Sequence, residues 1–375
     1  MKIYEKMLQI MRSKEALTRT NDVRSATETI QRTMENLISG VGKASSSTSA
    51  FSPKTYSTGT GVPNFVNDLL SELGSITNKT AFDSPLESEQ DQKVDVSDGG
   101  RFMNASYTHS TGTTHRYKLY IPSCYHGQSL PLIVMLHGCT QNPDDFAAGT
   151  GANALAEKNE CFIVYPAQTS SANQSKCWNW FKKADQEHGQ GEPAMIAGLT
   201  QEVMNTYNID KKKVYIAGLS AGGAMALIMA TTYSDLYAAA GVHSGLPYKA
   251  AQDVTSALTI MKSGKTPNRI PTTEKMIPLI IFHGDRDTTV HPLHGENIVM
   301  QSNTRDKEIL IENGSVPNGY PYTRTLYHDK GNVTIEYWLI HGAGHAWSGG
   351  NSKGSYTDIK GPNATKEMIR FFLHK

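Results

Sequence analysis

The sequence lacks a dominant charge of either sign. Its 375 residues carry 36 Lys and Arg against 35 Asp and Glu, a formal net charge of +1. That excludes a strongly basic nucleic-acid binder and an acidic solvating tail as the organising theme. Charged residues make up only 19% of the chain. No run approaches the ~18 consecutive apolar residues of a membrane span. The opening stretch MKIYEKMLQIMRSKEALTRT is broken by charges every few residues. It lacks the apolar core of a secretory signal, so taken alone it reads as cytoplasmic. Cysteine is scarce: Cys124, Cys139, Cys161 and Cys177, with no CxxC pair and no close His partners. That argues against a structural zinc site and leaves buried thiols or one or two disulfides. The 38% hydrophobic content is enough for a packed core, which excludes a disordered chain.

Two regions are expected. Residues 1–100 form a mainly helical extension with a Ser/Thr/Gly-rich linker. Apolar residues recur at helix spacing through Ile3, Met7, Ile10 and Met11, then Val23, Ala26, Ile30, Met34, Leu37 and Ile38. The linker is GKASSSTSAFSPKTYSTGTG. These helices offer a route to a homo-oligomer. Residues 101–375 read differently, as strands alternating with helices. The strand candidates are Arg116–Ile121, Leu132–Leu136, Phe162–Tyr165, Val214–Ala217, Ala239–Val242, Leu279–Phe282 and Val333–Ile340. From Leu132 onward they are almost continuously apolar, as in strands covered on both faces. Helical patterns fall at 151–159, 193–207, 222–232, 294–303 and 364–373. The alternation predicts an α/β domain with a mostly parallel sheet of about seven to eight strands and helices on both faces.

The segment VYIAGLSAGGAMALIMA (214–230) carries a G-x-S-x-G motif centred on Ser220. An apolar strand precedes it and a helix follows, the setting in which the turn lifts a serine hydroxyl clear of the sheet as a nucleophile. A serine alcohol needs a general base, and in this fold class the partners follow in the order Ser, acid, His. PLIIFHGDRDTTVHP (278–292) offers Asp287, deeper in its loop, and Asp285, better suited to turn formation. WLIHGAGHAWSGG (338–350) offers His345 in a Gly-rich loop and His341 at the strand end. Ser220, Asp287 and His345 are the preferred set. A metal site built from His283, Asp285, Asp287 and His291 is the competing reading, and it leaves Ser220 without a role. An oxyanion hole needs two backbone N–H donors. Ala221, after the nucleophile, supplies one. The other comes from PLIVMLHGCTQ (131–141), at Cys139 or, alternatively, Thr140. No cofactor or metal is required by this chemistry, and near-zero net charge suits a neutral substrate.

The motifs LHGCTQNPDDFAAGT, CWNWF, GLSAGGAMA, HG-x-x-D-x-x-V at 283–290 and GHAWSGG resemble those of the polyhydroxyalkanoate (PHB) depolymerase family of α/β hydrolases. The resemblance covers about residues 101–373. It implies an α/β-hydrolase fold and a serine esterase acting on short-chain poly(3-hydroxybutyrate), its oligomers or related polyesters. It supports Ser220, Asp287 and His345 as a triad and suggests a Cys139–Cys177 disulfide. It also implies an extracellular or periplasmic location, against the cytoplasmic reading of the start. Related feruloyl and acetylxylan esterases share the same core, so a carbohydrate-ester substrate is the alternative. Trp347, two residues past His345, is expected to wall the substrate site, with Trp180 and Tyr248 also near it; Trp178 and Trp180 are equally suited to core packing.

Overall fold

A computed structural model describes residues 99–374, apart from 110, 266–275, 303 and 305. The predicted helical extension and its oligomerisation role therefore lie outside the described residues.

A ten-stranded sheet forms the frame, in the order β1-β2-β4-β3-β5-β6-β7-β10-β9-β8. The six central strands run parallel: β4 (Phe162–Pro166), β3 (Leu130–Leu136), β5 (Ile209–Leu219), β6 (Ala239–His243), β7 (Leu279–Gly284) and β10 (Asn332–Ile340). Antiparallel strands extend both sides: β1 (Arg101–Thr108) and β2 (Thr114–Ile121) on one, β9 (Pro321–Asp329) and β8 (Glu308–Ser315) on the other. A separate two-stranded ribbon pairs β11 (Trp347–Ser348) with β12 (Thr357–Asp358). All seven predicted strands are present. The sheet is wider than the seven to eight strands expected, because β1, β8 and β9 lie at or beside its edges and lack the long buried apolar runs of the central strands.

Alternation along each central strand sends successive side chains to opposite faces. Leu132, Val134 and Leu136 face one way with Val214, Ile216, Val242 and Ile281. There they meet α3 (Gly191–Thr206), α4 (Ala221–Thr232), α5 (Val254–Ser263) and α6 (Leu293–Gln301). Ile133, Met135, Tyr215, Ala217, Ile280 and Phe282 face the other way. They pack on α1 (Pro143–Thr150), α2 (Ala152–Lys158) and α7 (Ala364–Leu373). The two-layer cover explains why these strands are apolar throughout. Helix α4 is buried continuously from Ala221 to Ala230. This is the α/β-hydrolase architecture: parallel strands whose C-terminal ends all open on one edge of the sheet, where loops can carry chemistry.

Candidate active site

Ser220 stands between the end of β5 and the start of α4, with φ 56° and ψ −118°. A non-glycine residue held there is strained by on the order of 1–3 kcal/mol, a cost that persists only where surroundings fix it. Two contacts do so: Ser220 N–H donates to His243 O at 2.8 Å, and Ala224 N–H donates to Ser220 O at 2.9 Å. The flanking glycines are required by close approach. A Cβ on Gly222 would lie 2.1 Å from Leu136 O, and one on Gly218 would lie 2.4 Å from Gly222 C. The tight turn leaves Ser220 at the N-terminus of α4.

Two strands over, the turn after β7 carries Asp287, whose side chain is fully buried. Its Oδ1 accepts from Thr289 N–H at 2.9 Å and Val290 N–H at 2.8 Å. Its Oδ2 faces His345 Nδ1 at 2.7 Å and His283 Nε2 at 3.5 Å. Burial alone would raise the Asp287 carboxyl. The hydrogen bonds and charges of His283 and His345 outweigh burial and hold it well below the usual carboxylate range. His345 follows β10, the neighbour of β7, and its side chain is 11% exposed. The acid turn and the base loop are stitched together by Arg286 N–H to Ala343 O and Asp285 N–H to Ile340 O, both 3.0 Å. Ser220, Asp287 and His345 thus share the C-terminal edge of β5, β7 and β10. Among the described residues no direct hydrogen bond joins Ser220 Oγ to His345, a pairing that often tightens only with substrate.

The alternative acid and base pair with each other. His341 Nδ1 lies 3.0 Å from Asp285 Oδ2, and His341 Nε2 lies 2.9 Å from Thr323 Oγ1. Asp285 Oδ1 also accepts from Gly342 N–H at 2.7 Å. Both side chains are more than a third exposed. This pair fastens β10 to β9 and to the acid turn.

The turn after β3 spans Gly138–Gln141, closed by Gln141 N–H to Gly138 O at 3.4 Å. Thr140 N–H is committed to Ser175 O at 2.7 Å, which removes it as an oxyanion donor. Cys139 N–H has no acceptor among the described residues. Ala221 is the first residue of α4, so its N–H has no intrahelical partner. These two N–H groups are the available donors. A Cys139–Cys177 disulfide links the turn to the CWNWF segment. Trp178 is buried there and donates from Nε1 to His137 O at 3.1 Å.

The aromatic residues expected around the substrate are all buried. Trp347 is 1% exposed, stacked on His243 and edge-on to Phe146, with Nε1 donating to Thr365 Oγ1 at 2.9 Å. It is a core pillar beneath the base loop, because its ring turns inward where β11 pairs with β12. Trp180 and Tyr248 are also buried, at 4% and 8% exposure. Both are tied to Gln186, Trp180 through its carbonyl at 2.8 Å and Tyr248 through its hydroxyl at 2.9 Å. Tyr356, which the sequence did not single out, is part-exposed with its hydroxyl 3.3 Å from Thr140 Oγ1.

Buried, hydrogen-bonded groups support the site. His243 Nε2 accepts from Ser348 N–H at 3.0 Å, pinning the base loop to β6. Burial, then the nearby His283 and His345, lower its pKa to about 3. His137 Nε2 accepts from Gln168 N–H at 3.1 Å, and its Nδ1 lies 2.8 Å from Gly138 O. Burial lowers it to about 4. Glu192 accepts from Asn179 N–H at 2.7 Å and from the Gln168 and Asn179 side chains, bracing the CWNWF segment. Burial and then Asp185 raise it to about 7. Among the described residues, no group of three or more His, Cys, Asp or Glu is arranged to hold a metal ion.

A family model described as Esterase PHB depolymerase matches residues 115–309. Poly(3-hydroxyalkanoate) depolymerase C of Paucimonas lemoignei is 35% identical over 227 residues, 57% of this chain and 54% of its own. Feruloyl esterase B of Thermothelomyces thermophilus is 27% identical over 233 residues, 57% of this chain and 78% of its own. The chain therefore spans about half the length of that depolymerase. Among solved structures, an acetyl xylan esterase from Aspergillus awamori superposes with a TM-score of 0.53 at 22% identity, over 66% of this chain and 94% of that one. That likeness concerns the fold alone.

Proposed function

The chain belongs to the Esterase PHB depolymerase family, and from that premise we propose that it is a serine esterase hydrolysing carboxylic esters through an acyl-enzyme. The observation that carries this reading is the buried Asp287–His345 pair at 2.7 Å on the same sheet edge as the strained Ser220 elbow. Ser220 Oγ attacks the ester carbonyl and passes its proton to His345 Nε2. Asp287 accepts from Nδ1–H, fixing the tautomer that leaves Nε2 a lone pair and stabilising the imidazolium that forms. The tetrahedral oxyanion takes the N–H groups of Ala221 and Cys139. His345 then protonates the leaving alkoxide, and water repeats the cycle on the acyl-enzyme.

The substrate class we favour is short-chain polyhydroxyalkanoate, poly(3-hydroxybutyrate) or its oligomers, following the 35% identity to a depolymerase. Feruloyl or acetylated-xylan esters are the second reading, favoured by the 27% match that covers 78% of a feruloyl esterase. The Cys139–Cys177 disulfide favours an oxidising compartment outside the cytoplasm. Among the described residues no helix is long and apolar enough to cross a membrane.

Two measurements test the reading. Ser220→Ala is expected to lower turnover of a short nitrophenyl ester on the order of 10⁶-fold; a variant retaining a tenth of wild-type turnover refutes the mechanism. Rates on 3-hydroxybutyrate dimer, methyl ferulate and acetylated xylan, with clearing of a polymer film alongside, decide the substrate. A preference for the dimer and film is expected, and faster turnover of ferulate or xylan esters overturns the polyester assignment.

A further inference from the structure

The turn that presents the Cys139 N–H is held in a conformation its sequence disfavours. Thr140 sits at φ 66°. The third position of such a turn suits glycine, and a β-branched residue there is strained. One flank of the turn is secured by the Cys139–Cys177 disulfide and by Thr140 N–H to Ser175 O at 2.7 Å. The other flank depends chiefly on the Gln141 side chain, beside one contact of 3.3 Å from Thr140 Oγ1 to the Tyr356 hydroxyl. Gln141 is 2% exposed, and both ends of its amide are used. Its Oε1 reaches back to accept Gly138 N–H at 2.9 Å. Its Nε2 donates to Asp145 Oδ2 at 2.9 Å and to Ser355 O at 3.1 Å. Asp145 completes the link by accepting from Ser355 N–H at 2.8 Å and Ser355 Oγ at 2.6 Å. Ser355 lies in the loop that follows His345, between β11 and β12.

We propose that Gln141 is the positioning residue of the oxyanion hole. Through Asp145 and Ser355 it ties the turn that presents the Cys139 N–H to the β11–β12 loop, one short strand past His345. The inference rests on the serine-esterase reading above. Without the Gln141 amide, Gly138 N–H loses its acceptor, and this side of the turn keeps only the long Gln141 N–H to Gly138 O bond and the Thr140 Oγ1–Tyr356 hydroxyl contact. Thr140 then relaxes toward negative φ, and the preceding backbone, Cys139 N–H included, swings with it. Transition-state binding suffers while ground-state ester binding, which does not need the oxyanion donors, does not.

The test is Gln141→Met, which keeps volume and removes both hydrogen-bonding functions. Complete loss of one oxyanion donor costs about 10²–10³ in rate, so a displaced donor is expected to cost about 10–10² in kcat. KM is expected to stay within about threefold, and inhibition by a trifluoromethyl ketone, whose adduct with Ser220 carries the same oxyanion, is expected to weaken in step with kcat. Adding Thr140→Gly to that variant is expected to recover about tenfold of kcat, since glycine takes positive φ without penalty. Gln141→Glu keeps the acceptor for Gly138 but sets a second carboxylate beside Asp145. Its kcat, taken relative to wild type at the same pH, is expected to rise as pH falls from 8 to 6 and the new carboxyl protonates. A Gln141→Met enzyme within threefold of wild-type kcat overturns the inference. So does a lowered kcat with unchanged trifluoromethyl ketone affinity, or no rescue by Thr140→Gly. If Gln141→Met fails to fold, a flat pH ratio for Gln141→Glu overturns it instead. Activity surviving in Ser220→Ala refutes the esterase reading; a dead Ser220→Ala beside a normal Gln141→Met refutes only the positioning role.

Discussion

Replacing Asp287 by Asn exchanges one carboxylate oxygen for an amide nitrogen, and the surroundings dictate which. Oδ1 sits between two backbone donors, Thr289 N–H at 2.9 Å and Val290 N–H at 2.8 Å. An amide NH2 placed there would confront both, leaving two buried donors unsatisfied at about 1–3 kcal/mol each. The Asn oxygen is therefore held at that position and its Nδ2 takes the place of Oδ2, pointing at His345 Nδ1, now 2.7 Å away. A donor facing Nδ1 requires that nitrogen to be the unprotonated one. The ring proton moves to Nε2, and the lone pair that should receive the Ser220 proton is gone. The exchange changes no volume, so folding is preserved while catalysis is lost. In serine enzymes with this arrangement the same substitution lowers kcat by about 10⁴, and that magnitude is expected here. The assay is steady-state turnover of a nitrophenyl butyrate at pH 7.5, with circular dichroism and active-site titration to establish the folded fraction. A folded Asp287→Asn enzyme that loses less than tenfold would mean that Asp287 does not set the His345 tautomer.

Three further outcomes follow from the same geometry. His137, His243 and His294 are buried and lowered to about 4, 3 and 4 respectively, each chiefly by burial. The unfolded chain takes up protons at these groups below about pH 6.5 while the native chain refuses them, so each is expected to remove up to about 2 kcal/mol of stability between pH 6.5 and 5. Glu192, raised to about 7, acts in the opposite sense by favouring the native state as pH falls, and offsets one of the three. The melting temperature is expected to fall from pH 7 to pH 5, and a rise refutes the balance. Cys177→Ala opens a disulfide of sequence separation 38; loop-closure entropy puts the loss near 4 kcal/mol. Urea midpoints measured with and without reductant check this, and a midpoint indifferent to both would show that the bond does not constrain the unfolded chain. Trp347→Phe removes the hydrogen bond to Thr365 and part of a buried ring, so stability is expected to fall by about 1–3 kcal/mol with acyl-chain preference unchanged. A shifted chain-length profile on C2 to C8 nitrophenyl esters would return Trp347 to the substrate wall.

What the sequence disclosed followed from burial. Six of the seven predicted strands, those from Leu132 onward, have cover on both faces and are almost continuously apolar. The three missed strands lie at or beside the sheet edges, where that cover lapses. β1 reads RFMNASYT with five of its eight residues exposed, and β8 exposes Ile309, Leu310 and Ile311 together, so neither shows a clean period. Ser220 was readable because a sharp turn between strand and helix needs its glycines at fixed offsets. The burial of the aromatic residues was not legible, because proximity to a motif in sequence says nothing about which way a ring turns. Trp347 points down into the sheet, whereas Tyr356, whose segment has no motif, stands beside the oxyanion turn. Gln141 was quoted within LHGCTQ but given no role, since its partners at Asp145 and Ser355 come from a helix and a distant loop.

The two Asp–His pairs differ in what their surroundings fit them for. Asp285–His341 and Asp287–His345 arise from the same two segments, at nearly the same spacing, with Nδ1–Oδ2 distances of 3.0 and 2.7 Å. Distance and residue type do not distinguish them. Environment does. The Asp285 and His341 side chains are 35% and 38% exposed, so water screens their attraction and stands in for either partner; such a pair contributes about 0–1 kcal/mol. Asp287 is fully buried and accepts from two backbone N–H groups as well as from histidine. Its charge cannot be hydrated, and it is held on one imidazole face. In the proposed mechanism, a positive charge developing on His345 would therefore meet a fixed, unscreened carboxylate. The outer pair has its own use: it binds the acid turn to β10, which keeps Asp287 at its distance from His345. Exchange of the outer pair for Asn and Gln should thus weaken the fold more than the chemistry, whereas loss of the inner carboxylate should do the reverse.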